Sequence, residues 1–442
     1  MRVGHTEQDT FTRKCRKKRN ACVVGRESAS FNANAHQVPA SENPARLAIL
    51  FGENNLFGEE KGPAMDFRTL EDNLEQLIAA WQPDRPSRMA RLGLEKADFD
   101  DLAEAGLTLT GVPVSHGGLW LDSARSAAPV ARLLRKLAGV DPSLALVASM
   151  HPTVLSIWLV EPDHPSPVGW QDQRDTVFAD ARSGHWFGTI ASEPGIGGDI
   201  FATRSTARQD AGGAWRMSGD KFMGSGSGIT SFMMTIACPH GEDRPDIFLL
   251  DMRDLAWDGS QGLKMVRAWD GIGMAATQSH AFRFDQVKVR RHGLQGKILD
   301  LFPAIAPIIG YMFSAVIMGI LDAAAIEAKR SLAKRADRLS AFEQTSWIEA
   351  ERQIWLAQQA FDGMSRSFGT DSAGLNVLYG KLAIADLSER ALESFCHALG
   401  GSSLSKSSPF GQWMQDVRAL GYLRPPRALS HARLFESLAA LG

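Results

Sequence analysis

The pattern of apolar and polar positions predicts helices in the first part of the chain after residue 64. Leu70, Leu74, Leu77 and Ile78 fall at i, i+4, i+7 and i+8, the spacing of one buried helix face. The same texture continues to about Arg182. This part of the chain is therefore predicted to be helical.

The texture changes between His185 and Val289 to short β-branched or alternating runs broken by glycine. Strands at such close spacing, with turn signals and no long helix between them, indicate an antiparallel sandwich or barrel. From Leu299 onward the helical spacing returns. The predicted helices there cover residues 317–339, 346–366 and 375–399.

These elements predict an α+β fold of three domains behind an N-terminal tail. The predicted bounds are an N-terminal helical domain over 65–184, a middle antiparallel β-sandwich or barrel domain over 185–291, and a C-terminal four-helix-bundle domain over 299–442. Within residues 1–64, the first thirty carry a local excess of basic side chains, and residues 28–63 are rich in Asn, Gly, Pro and Ser and have no periodicity. We expect them to be a disordered tail or an over-long start assignment.

Charge and composition exclude several classes of partner. The chain has 48 Lys and Arg against 50 Asp and Glu, a net charge of −2, so it has no global basic field for nucleic acid. The basic run at 13–19 is local, and a nucleic-acid role through it is the least favoured interpretation. The longest apolar run, 305–320, is shorter than the ~20 residues that a membrane helix needs. Four scattered cysteines indicate neither a disulfide framework nor a zinc site. We therefore expect a cytoplasmic protein without nucleic-acid, membrane or metal partners.

Four glycine-containing segments occur in the order of one known family. They are Ser192-Glu193-Pro194-Gly195-Ile196-Gly197-Gly198-Asp199, then 219–226, then 269–274 with its continuation at 284–289, and last Leu399-Gly400-Gly401 followed by Asp416-Val417-Arg418. Each alone is weak evidence, because glycine more often supplies a turn than a phosphate site. Together they resemble the acyl-CoA dehydrogenase superfamily of flavoproteins over roughly residues 66–437.

The resemblance implies a flavin, FAD or alternatively FMN, between the middle domain and the C-terminal bundle. The positions that match the flavin site of the family are Thr189, Ala191, Ser192, Gly198, Met223 and Ser225. In relatives the Ser192 position faces the N5/O4 edge of the flavin, where preorganised donors stabilise the charge that hydride transfer brings. Gly400 and Gly401 match the segment that approaches the adenosine half of FAD, usually from a neighbouring subunit. This implies a homodimer or homotetramer.

The default activity of the family, CH–CH dehydrogenation of an acyl-CoA with hydride transfer to flavin N5, needs a carboxylate base that this sequence lacks. The family Glu stands eight residues after the Asp of an R-D-x-R motif, and counting from Asp416 this position is Arg424. A guanidinium cannot accept a proton at physiological pH. The position that some relatives use instead is Met312 when Gly319 is aligned. Since losing a general base lowers a rate by about 10²–10⁴, Arg424 argues against ordinary dehydrogenation.

One branch of the same superfamily, the dibenzothiophene-type and hydroxyphenyl-type monooxygenases, also lacks that base. Residues 221–226 resemble its K-F-Y-x-S-G segment, in which the position of Ser225 lies beside the flavin, and His151 matches a helical active-site His. The branch implies reduced flavin delivered by a separate flavin reductase, and oxygen activation through a C4a-hydroperoxide. His151 has an alternative structural interpretation, because a lone helical His usually packs in a core.

Three functions stay open from the sequence. They are acyl-CoA dehydrogenation, reduced-flavin monooxygenation of an aromatic or heterocyclic small molecule, and a non-catalytic relative that has lost flavin. The last is favoured by an eroded R-K-x-F-G segment, where Arg335 or Arg338 would have to reach the FAD pyrophosphate.

Overall fold

The computed structural model describes residues 65–160 and 167–440, so the tail predicted over 1–64, with its basic run, lies outside the described residues. The helices before the sheet are α1 (Phe67–Trp81), α2 (Arg85–Met89), α3 (Lys96–Glu104), α4 (Ser123–Ala138), α5 (Pro142–Leu155) and α6 (Trp170–Arg182). The strands are β1 (Phe187–Thr189), β2 (Thr206–Gln209), β3 (Trp215–Gly224), β4 (Phe232–Pro239), β5 (Asp246–Asp251), β6 (Leu263–Arg267) and β7 (His280–Arg291). The helices after the sheet are α7 (Ile298–Leu332), α8 (Ala341–Ser367), α9 (Ala373–Leu399), α10 (Phe410–Arg418) and α11 (Arg427–Ala439).

The first helix begins and packs as its sequence predicts. The Asp66 carboxylate accepts a hydrogen bond from the Thr69 amide at 2.7 Å, which satisfies one of the free donors at the helix start. Leu70 and Leu74, one helical turn apart, are fully buried. The apolar spacing in the sequence therefore becomes the inner face of α1.

Five strands close into a barrel. β4 pairs with β5, β5 with β7, β7 with β3, β3 with β2, and β2 again with β4, while β1 adds to β4 and β6 to β7. The β1–β4 and β2–β4 pairs are parallel, so the pairing is not wholly antiparallel. Parallel neighbours need a long connection rather than a hairpin, and the connections between these strands provide one.

The longest helix, α7, begins nearer the sheet than the sequence pattern predicts. It starts at Ile298 rather than near residue 317 and continues through Pro303 and Pro307. Its first part packs on the sheet through Ile298 and Ile305, and its later part joins α4, α5, α8 and α9 in one apolar core. This burial stabilises a segment whose prolines would disfavour an isolated helix.

Close packing in that core depends on a glycine in α7. A Cβ at Gly319 would lie 2.1 Å from the carbonyl oxygen of Arg135 in α4, so a larger residue would force the two helices apart. The helix is also long and apolar enough to cross a membrane, but 83% of its most apolar window is buried inside the fold. Its apolarity is accounted for by the core.

Candidate active site

A cavity of about 520 Å³ lies between the sheet, α5, α7 and the segment that follows α10. This volume is within the usual range of small-molecule sites. Its wall is mostly apolar, with Leu146 and Met150 from α5 and Phe302 and Phe313 from α7 among its side chains. Among the described residues, those that line the cavity include no Asp, Glu, His, Lys or Cys. Its charged groups are two guanidinium groups.

Most of the residues that the sequence assigned to the site face this cavity together. The lining includes Thr189, Ser192, Gly198, Met223, Ser225 and Arg424. Ala191 is fully buried beside Ser192 and does not itself line the cavity. The fold thus brings residues from β1, β3 and the chain after α10 to one place.

His151 lies in the core, away from the cavity lining. Its Nε2 donates to the carbonyl oxygen of Thr108 at 2.8 Å, and its Nδ1 accepts from the Phe187 amide at 3.2 Å. Burial lowers the pKa of His151 to about 4, so the ring is neutral at physiological pH. Both ring nitrogens bond to backbone groups, so the ring links α5 to β1. These contacts are typical of a structural residue.

Gly400 and Gly401 follow α9 and are not part of the cavity wall. Gly400 has a φ of +71°, which ends the helix, and a Cβ on either glycine would meet no atom within 4 Å. Within one described chain they are open to the surface. Their proposed contact with the adenosine half of FAD stays a prediction.

A buried ion pair fixes the segment that carries Ser192. The Ser192 carbonyl accepts from the Phe222 amide at 2.8 Å, which bridges the segment to β3. Next to it, Glu193 Oε1 lies 2.5 Å from Lys221 Nζ, and both side chains are almost wholly buried. Burial alone would raise the pKa of Glu193, but hydrogen bonds from Lys221 and Thr203 outweigh it and hold that pKa below its usual value. Burial lowers the pKa of Lys221 to about 8.

The hydroxyl groups in the cavity fit a polar heterocycle such as a flavin ring. The Ser225 and Ser279 hydroxyls lie 2.7 Å apart, and Ser279 lies 2.7 Å from the Thr277 hydroxyl. Thr189 Oγ1 is buried and has no hydrogen-bond partner among the described residues. An unsatisfied buried hydroxyl is destabilising by about 1–3 kcal/mol, so a ligand atom at that point would be favoured. The residues present therefore fit the flavin that the sequence predicts.

A second buried carboxyl group holds the loop over 269–274 at the cavity. The Asp416 carboxyl in α10 accepts from the Met274 amide at 2.6 Å, and Met274 has a left-handed φ of 50°. Burial raises the pKa of Asp416 to about 7. At Gly273 a Cβ would lie 2.5 Å from the Gln415 carbonyl, so the loop packs directly on α10. The loop position thus depends on α10.

Arg424 is partly buried at the cavity, and its Nη2 donates to the Ser192 hydroxyl at 3.4 Å. Burial lowers its pKa to about 10, so the guanidinium remains charged at physiological pH. Met312, the alternative base position, is fully buried and does not line the cavity. Neither position supplies a proton acceptor here.

Two supporting lysines were missed as functional residues from the sequence. Lys221 lies in the glycine-containing segment 219–226, but nothing in the sequence pairs it with Glu193. Lys381 in α9 donates from Nζ to the carbonyl oxygens of Leu420, Leu423 and Pro425. Its one visible signal is a lysine within an otherwise apolar helical run.

The chain has known relatives whose sequence identity to it is low but extends over most of its length. No family model matches the sequence. The chain is 24% identical over 349 residues to L-evernosamine nitrososynthase of Micromonospora sp., a match that covers 74% of this chain and 79% of that protein. It is 24% identical over 312 residues to dibenzothiophene monooxygenase of Mycolicibacterium goodii, covering 66% of this chain and 70% of that protein.

Solved structures share the architecture. Butyryl-CoA dehydrogenase from Megasphaera elsdenii superposes with a TM-score of 0.71 at 18% identity, over 84% of this chain and 97% of that one. FMN-bound TdsC from Paenibacillus sp. A11-2 superposes with a TM-score of 0.68 at 18% identity, over 82% of this chain and 95% of that one. These similarities confirm the predicted fold class.

Proposed function

We propose that this chain, a flavin-dependent oxidoreductase of the acyl-CoA dehydrogenase fold, is a reduced-flavin-dependent monooxygenase. One observation carries the proposal. Among the described residues, the cavity wall offers no carboxylate, and the position that the family resemblance assigns to the base of the dehydrogenases is Arg424, which lines this wall. Removal of an α-proton from an acyl-CoA requires such a base, whereas oxygen transfer from a reduced flavin requires a dry, shaped pocket.

The residues that would hold the flavin are those whose side-chain hydroxyl groups lie at the cavity. Thr189 would supply its unpaired Oγ1, Ser192 its hydroxyl, and Ser225 a hydroxyl already oriented by Ser279. Met223, which also lines the cavity, would cover the ring. When bound in reduced form, the flavin would supply the electrons that activate molecular oxygen for insertion into a small molecule.

The protein itself would position the substrate and exclude water. Aliphatic and aromatic side chains from α5 and α7 form most of the wall, so polar intermediates of the reaction would be shielded from hydrolysis. Glu193 and Lys221 hold the Ser192 segment rigidly beneath the cavity. Asp416 holds the opposite loop through the Met274 amide. These residues act as positioning residues in the proposal.

FMN is the proposed flavin, a separate flavin reductase the proposed electron source, and a homodimer or homotetramer the proposed assembly. FMN is favoured because TdsC, one structural neighbour, is described as FMN-bound. A cytoplasmic location is part of the same proposal, since a diffusing reductase must deliver the reduced flavin. Light scattering on the purified chain tests the assembly.

The decisive experiment compares two reactions of the flavin-loaded chain. In the first, the protein is loaded anaerobically with photoreduced FMN. It is then mixed with oxygenated buffer, and the absorbance is followed by stopped flow. A transient band that forms before oxidised FMN appears is expected. In the second, oxidised protein is mixed anaerobically with butyryl-CoA. Bleaching of the flavin by butyryl-CoA, with no transient in the first reaction, would overturn the proposal in favour of dehydrogenation.

A colourless protein that binds neither FMN nor FAD would support the non-catalytic alternative. Equilibrium dialysis with each flavin, oxidised and reduced, decides this point. We expect tighter binding of reduced FMN than of oxidised FMN, since the chain would receive its flavin already reduced.

A further inference from the structure

Two cations near the cavity, Lys381 and Arg424, have no anionic partner among the described residues. Lys381 is bonded to three carbonyl oxygens, whereas Arg424 has a single hydroxyl partner. Lys221 is paired with Glu193, and Arg427 lies 2.6 Å from Glu389. Arg418, which also lines the cavity, is half exposed and has Glu389 at 3.9 Å. Across residues 65–160 and 167–440, the hydrogen-bond partner found for the Arg424 guanidinium is the neutral Ser192 hydroxyl.

A charge partly withdrawn from water without a counter-ion is unfavourable, because its desolvation is not offset by attraction or by strong hydrogen bonds. The guanidinium stays protonated under all ordinary conditions, so it cannot escape this by losing a proton. An anion that enters the cavity and binds the guanidinium would offset this unfavourable free energy of desolvation.

The segment that carries Arg424 is built to hold it in place. Lys381 Nζ donates to the carbonyl oxygens of Leu420, Leu423 and Pro425 at 2.8, 3.0 and 2.9 Å. The Ser430 hydroxyl donates to the same Pro425 carbonyl at 3.1 Å. Backbone groups before and after Arg424 are therefore fixed, and its side chain is directed to the Ser192 hydroxyl.

Pro426 also rests against the glycine-rich turn after β1. A Cβ at Gly198 would lie 2.6 Å from Pro426 Cγ, so the turn and the Arg424 segment are in direct contact. Two segments that are far apart in the sequence thus meet at Gly198 and Pro426 and again at Ser192 and Arg424.

We propose that the substrate is an apolar molecule of aromatic size that carries one carboxylate, and that Arg424 binds this carboxylate. The inference rests on the proposed function and narrows its substrate class. A guanidinium presents a planar pair of donors that matches a carboxylate. Most of the wall is apolar, as at Ile247, Phe302 and Ile305, and suits a hydrocarbon or aromatic body. Of the two guanidinium groups at the wall only Arg424 lacks an anionic partner among the described residues, and one such cation matches one negative charge rather than a diphosphate.

The test is calorimetry with three carboxylate probes, benzoate, 2-naphthoate and indole-3-acetate, and with 2-naphthamide as the neutral analogue of naphthoate. Each is titrated into the chain with and without FMN. Wild type is expected to bind at least one carboxylate and to bind 2-naphthoate more tightly than 2-naphthamide. In Arg424→Met, naphthoate affinity is expected to fall about 10- to 100-fold while naphthamide affinity changes less than about threefold. Arg424→Lys should keep part of the affinity, because it keeps the charge and loses the planar fork.

Arg418→Gln is the matched control, because it removes a lining guanidinium that already has Glu389 near it. Its naphthoate affinity is expected to change less than about threefold. Three results would overturn the inference. In Arg424→Met, the affinities for naphthoate and naphthamide could fall equally, or neither could fall. Alternatively, the wild type could bind no carboxylate. A fall in FMN affinity with naphthoate unaffected would also overturn it, since Arg424 would then serve the flavin. Failure of the oxygen reaction with intact, Arg424-dependent naphthoate binding would instead count against the monooxygenase proposal.

Discussion

Glu193 and Lys221 form an ion pair at 2.5 Å that is almost wholly buried between the end of β1 and strand β3. Lys221 Nζ also donates to the Ile236 carbonyl at 2.6 Å, and the Glu193 carboxylate accepts from the Ser205 hydroxyl at 2.8 Å. The pair thus ties β3, β4 and the chain before β2 beneath the residue, Ser192, that lines the cavity. Removing one partner leaves a buried charge unpaired.

Glu193→Gln is therefore expected to destabilise the fold strongly. Breaking one side of a buried pair is destabilising by about 3–5 kcal/mol, measured here as the free energy of unfolding in urea. The loss should be largest well below pH 8 and shrink as pH rises to about 8, the pKa of Lys221 in the wild type. In the variant Lys221 no longer has the Glu193 carboxylate that raises its pKa, so it loses its proton at lower pH than in the wild type. Glu349→Gln, which breaks an exposed pair with Arg352, is the control and should leave the unfolding curve unchanged. Equal effects of the two variants would contradict this account.

Thr189→Val is expected to lower the affinity for flavin without lowering the free energy of unfolding of the flavin-free chain. Valine keeps the shape of the side chain but removes the buried hydroxyl that has no partner. Without flavin the variant is expected to be as stable as wild type or more stable, by up to about 1 kcal/mol. Its affinity for FMN is expected to fall about tenfold, measured by equilibrium dialysis. Unchanged FMN affinity would show that Thr189 does not contact the flavin.

Gly198→Ala and Gly197→Ala form a matched pair at the glycine-rich turn. Both glycines have left-handed φ, +82° and +63°, so alanine at either position carries about 1–2 kcal/mol of backbone strain. At Gly198 the new Cβ would also collide with Pro426, whereas at Gly197 it meets nothing within 4 Å. We expect Gly198→Ala to unfold at lower urea concentration than Gly197→Ala and to weaken 2-naphthoate binding as well. Identical behaviour of the two would rule out the packing of this turn on the Arg424 segment.

Asp416 should make stability fall as pH rises from about 4 to 7. Its pKa is raised from 3.8 to about 7, so in this interval the folded chain holds a proton that the unfolded chain has released. Asp416→Asn mimics the protonated group and keeps an oxygen for the Met274 amide. The stability of this variant relative to wild type is therefore expected to grow between pH 4 and 7, by at most about 1.4 kcal/mol per pH unit, and to level off above pH 7. Asn substitution at the exposed Asp72 should follow the wild-type profile, and a flat difference for Asp416→Asn would refute the assignment.

Much of the fold followed from local pattern and from motif order. Apolar spacing at Leu70 and Leu74 predicted α1, and short alternating runs predicted an antiparallel sandwich or barrel, because both signals arise from neighbours within a few residues. Helix α7 was placed too late, since Pro303 and Pro307 disfavour a helix locally and only packing against distant elements overrides them. Local sequence carries no record of those partners.

The site was predicted in part for the same physical reason. Motif positions supplied Thr189, Ser192, Ser225 and Arg424, which the fold brings to one cavity. The sequence could not show that Arg424 bonds to Ser192, 232 positions away. Neither could it show that Lys381 supports the Arg424 segment, because a lysine signals exposure unless its acceptors are known. His151 was ambiguous because every residue of α5 is buried, so its periodicity reveals no preferred face.

The contact of Pro426 with Gly198 also has a consequence for how the protein matures in the cell. The strands that form one side of the cavity are synthesised well before residues 424–426, which close the other side. At ~5–20 residues per second the ribosome needs on the order of 10 s to make the ~130 residues between the end of β7 and this segment. During that interval the nascent chain has the strands but neither Arg424 nor Pro426. The cavity wall is therefore complete only after translation has passed this segment.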